Sequence, residues 1–148
     1  MDIEFGNAGE METRGTGWFI GFSDWTKLGT SGLRHVPPSD ELTGLCVKWY
    51  AHANGHPHGE SKPVSEGRSI SMLVGPDGEF RIEFAPTADF DPAETVVHVL
   101  RRPGDFAAWG AGIHHRAYSG ERAVILTIRW TPKHEAKHRT DRLVRARA

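Results

Sequence analysis

Apolar and polar residues alternate most clearly over residues 79–84, where Phe80, Ile82 and Phe84 share one side and Arg81 and Glu83 the other. A period of two marks a half-buried strand. Shorter strand-like runs occur at residues 46–52, 69–74, 95–100, 104–109, 115–118 and 123–130. Gly75, Pro76, Asp77 and Gly78 form a strong turn signal, and Ser119 and Gly120 read as a turn joining the last two strands. Residues 18–22, rich in aromatic and apolar side chains, predict one more short strand, with Trp25 close behind. Residues 28–44, 53–67 and 85–94 read as loops from their glycine, proline and small polar residues. Short strands at this spacing predict an all-β sandwich or barrel. The first 17 residues, polar and Gly-rich, read as an irregular arm, and only residues 133–146 look helical.

The chain has 148 residues, enough for one core but not for two. The expected organisation is an arm at 1–17, a barrel at 18–132 and a basic tail at 133–148. That tail carries six Lys/Arg against two Asp/Glu, so the overall charge of −1 leaves the body at −5. No aromatic residue interleaves with the tail's cations, which argues against a nucleic-acid platform. The lone cysteine, Cys46, reads as a small strand residue that cannot form an internal disulfide. Neither a signal peptide nor an 18-residue apolar run is recognisable, so the expectation is a cytoplasmic protein with no membrane partner.

Nine histidines supply the candidate chemistry. His134, Glu135 and His138 match the His-Glu-x-x-His pattern of zinc peptidases, but in a basic terminal segment without an apolar setting the match reads as chance. Gly15, Gly17 and Gly21 have the wrong spacing for a dinucleotide loop, and no Ser-His-Asp arrangement stands out. His98, among Val96, Val97, Val99 and Leu100, reads as a core histidine or an inward-facing functional one. Arg129 interrupts an apolar strand and either binds an anion inside the barrel or snorkels outward.

The most informative pattern is Gly104, five residues, Gly110, Ala111, Gly112, two residues, His115. It resembles the second motif of the cupins, with glycine in place of that motif's proline and Ser119 where the motif ends in asparagine. Residues 45–131 are similar to the barrel of small single-domain bacterial cupins. The resemblance implies a double-stranded β-helix, or jelly roll, with His115 as a metal ligand and a homodimer as the assembly, with residues 18–25 as the candidate joining arm. The first cupin motif is degenerate: counted from Gly55 to Gly75, its ligand places hold Ser61, Pro63 and Arg68. His56 and His58 lie a few residues earlier at the right mutual spacing, beside Glu60, and His52 on the preceding strand is a further candidate.

Three readings follow. In the first, His52, His56, His58, Glu60 and His115 hold a divalent Fe, Mn, Ni or Zn ion at the barrel mouth. The metal then serves isomerase, lyase or oxygenase chemistry on a small polar metabolite. In the second, a metal-free cupin holds an anionic substrate with Arg68, and Tyr118 and a histidine move protons. In the third, the barrel is a non-enzymatic sensor of a small molecule.

Overall fold

The computed structural model describes residues 1–13, 15–21, 32–52 and 64–134. Among these residues eight strands form two antiparallel sheets: β1 Ile3–Asn7, β2 Leu42–His52, β3 Arg68–Gly75, β4 Phe80–Ala85, β5 Val96–Leu100, β6 Asp105–Trp109, β7 His114–Ser119 and β8 Ala123–Pro132. The larger sheet runs β1-β6-β3-β8-β2 and the smaller β5-β4-β7. Consecutive strands from β3 to β8 mostly change sheet, as in a jelly roll, and the all-β expectation holds. The turn after Ser119 therefore carries the chain from the smaller sheet to the larger one and does not close a hairpin. No helix among the described residues is long and apolar enough to cross a membrane.

Between the sheets the alternation of β4 buries Phe80, Ile82 and Phe84 against Leu73, Leu100, Ala107, Trp109, Ile113 and Ile125. Leu100 and Phe84 are fully enclosed. One side of the sandwich is closed by β1 and β5, where Phe5 stacks on His98 at 3.9 Å between ring centroids and leans on Phe84 at 6.0 Å. His98 is thus a half-buried packing residue. Burial pushes its pKa below the ordinary 6.5; the Asp105 charge opposes this and the Arg101 charge adds to it.

A second apolar cluster lies on the outer face of the larger sheet. Ile70, Phe106, Ala108 and Trp130 are covered there by Leu33 and Val36, with Met11, Phe19 and Ile20 packed around them. Two features of this cover depart from the sequence expectations. Residues 3–7 are a paired strand and not an irregular lead-in: Ile3 and Phe5 face the core while Glu4 faces outward, in register with β6. Residues 18–20 form no strand, and only Gly21 makes a bridge, to His35. Apolar side chains lying flat on a sheet face gain their burial without joining its ladder. Trp25 and most of the expected tail lie outside the described residues.

The cover is locked by one ion pair. Arg34 is almost fully enclosed; its Nε donates to Glu4 Oε1 at 2.8 Å and its Nη1 to the Phe19 carbonyl at 3.0 Å. Removing one partner of a buried pair strands the other. Arg34→Leu is expected to cost about 3–5 kcal/mol in chemical denaturation, with partial recovery in Arg34→Leu/Glu4→Leu. The His98 shift has its own signature. Between the lowered folded pKa and the unfolded 6.5, only the unfolded chain binds the proton. The His98 contribution is present in full above that range and lost as pH falls through it. His98→Phe should therefore lose less stability than the parent protein between pH 7.5 and pH 5, measured by denaturation midpoint.

Candidate functional site

Opposite the Phe5–His98 closure, the sandwich holds a cavity of about 90 Å³ lined from both sheets. Its apolar floor is Phe80, Ile82, Trp109, Ala117 and Ile125. Among the described residues, Lys48, Tyr50, His52, Ser71, His115, Thr127 and Arg129 supply the polar side chains of the lining other than the Trp109 indole. None of the described lining residues is a carboxylate.

The motif around His115 works as a crossing between sheets. Gly104 opens it at φ 93°, with its amide donating to the Leu73 carbonyl at 2.8 Å. Asp105 then ties the corner: its carboxylate accepts from Asn7 Nδ2 at 2.9 Å and from the backbone amides of Arg101 and Arg102 at 2.9 and 3.0 Å. Burial works to raise the Asp105 pKa, but these hydrogen bonds and the Arg102 charge outweigh it and hold the carboxyl below its usual value. β6 ends at Trp109 in the larger sheet, the chain turns through Gly112 at φ 80°, and β7 begins in the smaller sheet. Register with Phe84 sets His115 inward, while neighbouring His114, opposite Ala85, takes the other face.

Trp109 and His115 meet at the floor, 4.9 Å between ring centroids, and Trp109 also packs on Phe84 at 5.2 Å. The Trp109 Nε1–H donates to Ser65 Oγ at 2.8 Å, and the Ser65 backbone bonds in turn to Gly112 and Ile113. Above the floor, Ser71 and Thr127 share a buried hydroxyl hydrogen bond of 2.8 Å. His52 stands at the end of β2, edge-on to Tyr50 at 4.7 Å and 4.9 Å from the Phe80 ring. Arg129 is exposed at the rim, but its Nε is held by Ser69 Oγ at 2.9 Å. Among the described residues its guanidinium pairs with no carboxylate. Lys48 lies directly opposite Thr127 in the β2–β8 register.

The structure therefore brings His52 and His115 to one cavity. His56, His58 and Glu60 lie outside the described residues. Two expected site residues are placed elsewhere. Tyr118 pairs with Arg81 on the outer face of the smaller sheet, with the guanidinium 4.1 Å from its ring centroid, because inward His115 sends every second residue of β7 inward and Tyr118 out. Arg68 is in register with Trp130 of the outer cluster and does not line the cavity. Arg129, for which the sequence left an inward and an outward reading open, lines the cavity from an exposed position. Lys48 was not singled out by sequence, although it stands four residues before His52 and therefore on the same face of the strand.

No protein-family model and no curated protein matches the chain. Among solved structures it is similar to Streptomyces albus HEPD with 2-hydroxyethylphosphonate and Fe(II) bound, at 14% identity and a TM-score of 0.50. That likeness covers 62% of this chain and only 19% of the HEPD chain. Hydroxypropylphosphonic acid epoxidase from S. wedmorenis matches at 9% identity and a TM-score of 0.45, over 57% of this chain and 42% of its own. At this identity the HEPD likeness speaks for the fold alone, an all-β barrel of the jelly-roll type.

Trp109→Phe keeps a ring on the floor and leaves Ser65 Oγ without its buried donor. We expect a loss of about 1–3 kcal/mol by denaturation, the scale of a buried hydroxyl left unpaired. Faster amide exchange at Gly112 should accompany it, measured by hydrogen exchange, because Ser65 holds that turn.

Proposed function

We propose that the cavity binds a small organic anion, a carboxylate or phosphonate carrying a short tail. The carrying observation is the sign of its charged groups. Lys48 and Arg129 stand at the rim, two imidazoles line the wall, and no Asp or Glu lines the cavity among the described residues. A fixed guanidinium suits such a head group by parallel N–H···O bonds. Ser69 holds Nε at 2.9 Å, which orients the guanidinium before any ligand arrives. The apolar floor takes the tail, and about 90 Å³ restricts the enclosed part to a few heavy atoms. His52 and His115 sit where they would donate to or accept from polar groups on the ligand.

The cupin fold also invites a metal. The described donors are two imidazoles, fewer than the three or more ligands of a usual divalent site, and no group of three metal-ligating side chains occurs among the described residues. Lys48 and Arg129 beside them raise the cost of a cation. The described residues thus do not make up a metal site by themselves. A metal reading is supported by His52 and His115 lining one cavity and takes its other ligands from His56, His58 or Glu60.

Titration calorimetry against short-chain carboxylates and phosphonates tests the first reading. Binding by the parent protein should weaken as salt is raised and fall about 10- to 100-fold in Arg129→Ala, with partial recovery in Arg129→Lys. Absence of binding to every anion in the series would sink the reading. Elemental analysis of untagged protein separates the two: one metal per chain, lost in both His52→Ala and His115→Ala, is the outcome that favours the metal.

A further inference from the structure

β2 is patterned the wrong way round for the edge of a monomer. It is an 11-residue strand at the end of the larger sheet, hydrogen-bonded on one side to β8. Its inner side carries Cys46 and the cavity-lining Lys48, Tyr50 and His52. Its outer side carries Leu45, Val47 and Trp49, which are 53%, 59% and 64% exposed. Their partners on β8 are Trp130, Ile128 and Leu126, so the exposed stripe continues the covered outer cluster of the same sheet face. Among the described residues no strand pairs with its other side, and a long edge of that kind beside three large apolar side chains is a template for another strand. Natural edges are blunted by proline, bulges or outward charge. From Leu45 to His52 the β2–β8 register is unbroken, and the one charge, Lys48, faces inward.

We propose that this edge is the docking site for β2 of a second copy of the chain, paired antiparallel about a two-fold axis at Val47. The pattern is self-complementary in that register. Val47 faces Val47 of the second copy, Leu45 faces its Trp49, and Trp49 its Leu45, giving one apolar stripe of six side chains. On the inner side Lys48 faces Cys46 of the second copy, so no like charges meet. Moving the axis to Cys46 leaves Trp49 opposite Thr43, and moving it to Lys48 sets two ammonium groups against each other, which is destabilising. The apolar stripe and the open ladder are thus satisfied together in one arrangement, an isologous pair that joins two five-stranded sheets into one. This inference does not depend on what the cavity binds.

The test uses the full chain. Sedimentation velocity of the parent protein should show a dimer at micromolar concentration. Val47→Lys, at an exposed position, should keep its circular dichroism spectrum and raise the dimer dissociation constant by about 100-fold or more. Directly opposite residues of an antiparallel pair have Cα atoms within disulfide range. Cys46→Ser/Val47→Cys should therefore form a covalent dimer under mild oxidation. Cys46→Ser/Val97→Cys, exposed on the smaller sheet, should not. A parent protein that stays monomeric overturns the proposal. So does a dimer that survives Val47→Lys, or one in which the Val47 cysteine cross-links no faster than the Val97 control.

Discussion

The site depends on where Trp109 is held. It ends β6 in the larger sheet, yet its ring packs against Phe84 and His115 of the smaller one. A side chain that spans the gap between two sheets sets their separation at that point. The indole N–H is anchored to Ser65, whose backbone clasps the Gly112 turn, so the same residue that spaces the sheets also fixes the corner from which β7 departs. His115 is the second residue of the strand that leaves that corner. The direction of its imidazole follows from the turn, and the turn follows from Trp109. The glycines of the motif are needed for the same reason: at φ 93° and 80° the chain reverses where a side chain would be strained.

Closure at one side and a cavity at the other arise from unequal sheets. The smaller sheet has three strands and the larger five, so the smaller cannot cover the full inner face of its partner. At β1 and β5 the gap is filled by Phe5 and His98. Toward β2 the inner face turns polar, and polar groups do not draw the sheets together as apolar ones do. Ser71 and Thr127 illustrate the change: they satisfy each other within the sheet, and so line a void at little cost.

Much of this was legible in the sequence. Residues 79–84 announce a half-buried strand, and the structure buries Phe80, Ile82 and Phe84 as their alternation requires. The glycine spacing before His115 foretold a strand, a turn and a second strand. β1 was hidden because Ile3 and Phe5 are its only inward apolar residues and a Gly-rich stretch follows. Tyr118 and Arg68 were misplaced through parity. Once His115 is inward, Tyr118 is outward; once Ser69 and Ser71 line the inner side, Arg68 belongs to the outer. The same rule, run forward from His52, reaches Lys48. Residues 53–63 resisted reading because a sequence rich in glycine, proline and histidine has no period to fix its faces.

β2 shows how one strand serves two ends. Alternation assigns its side chains to opposite faces, so a polar cavity wall and an apolar outer stripe are both available at no cost to the ladder with β8. In an ordinary sandwich strand the apolar side faces the core. Here the core beneath β2 is replaced by a cavity rimmed with Lys48 and Arg129, and the apolar residues are displaced to the surface. The exposed Leu45, Val47 and Trp49 and the cationic rim are therefore one feature seen from two sides. A strand whose inner face lines a polar cavity has its remaining apolar burial available only outside the barrel.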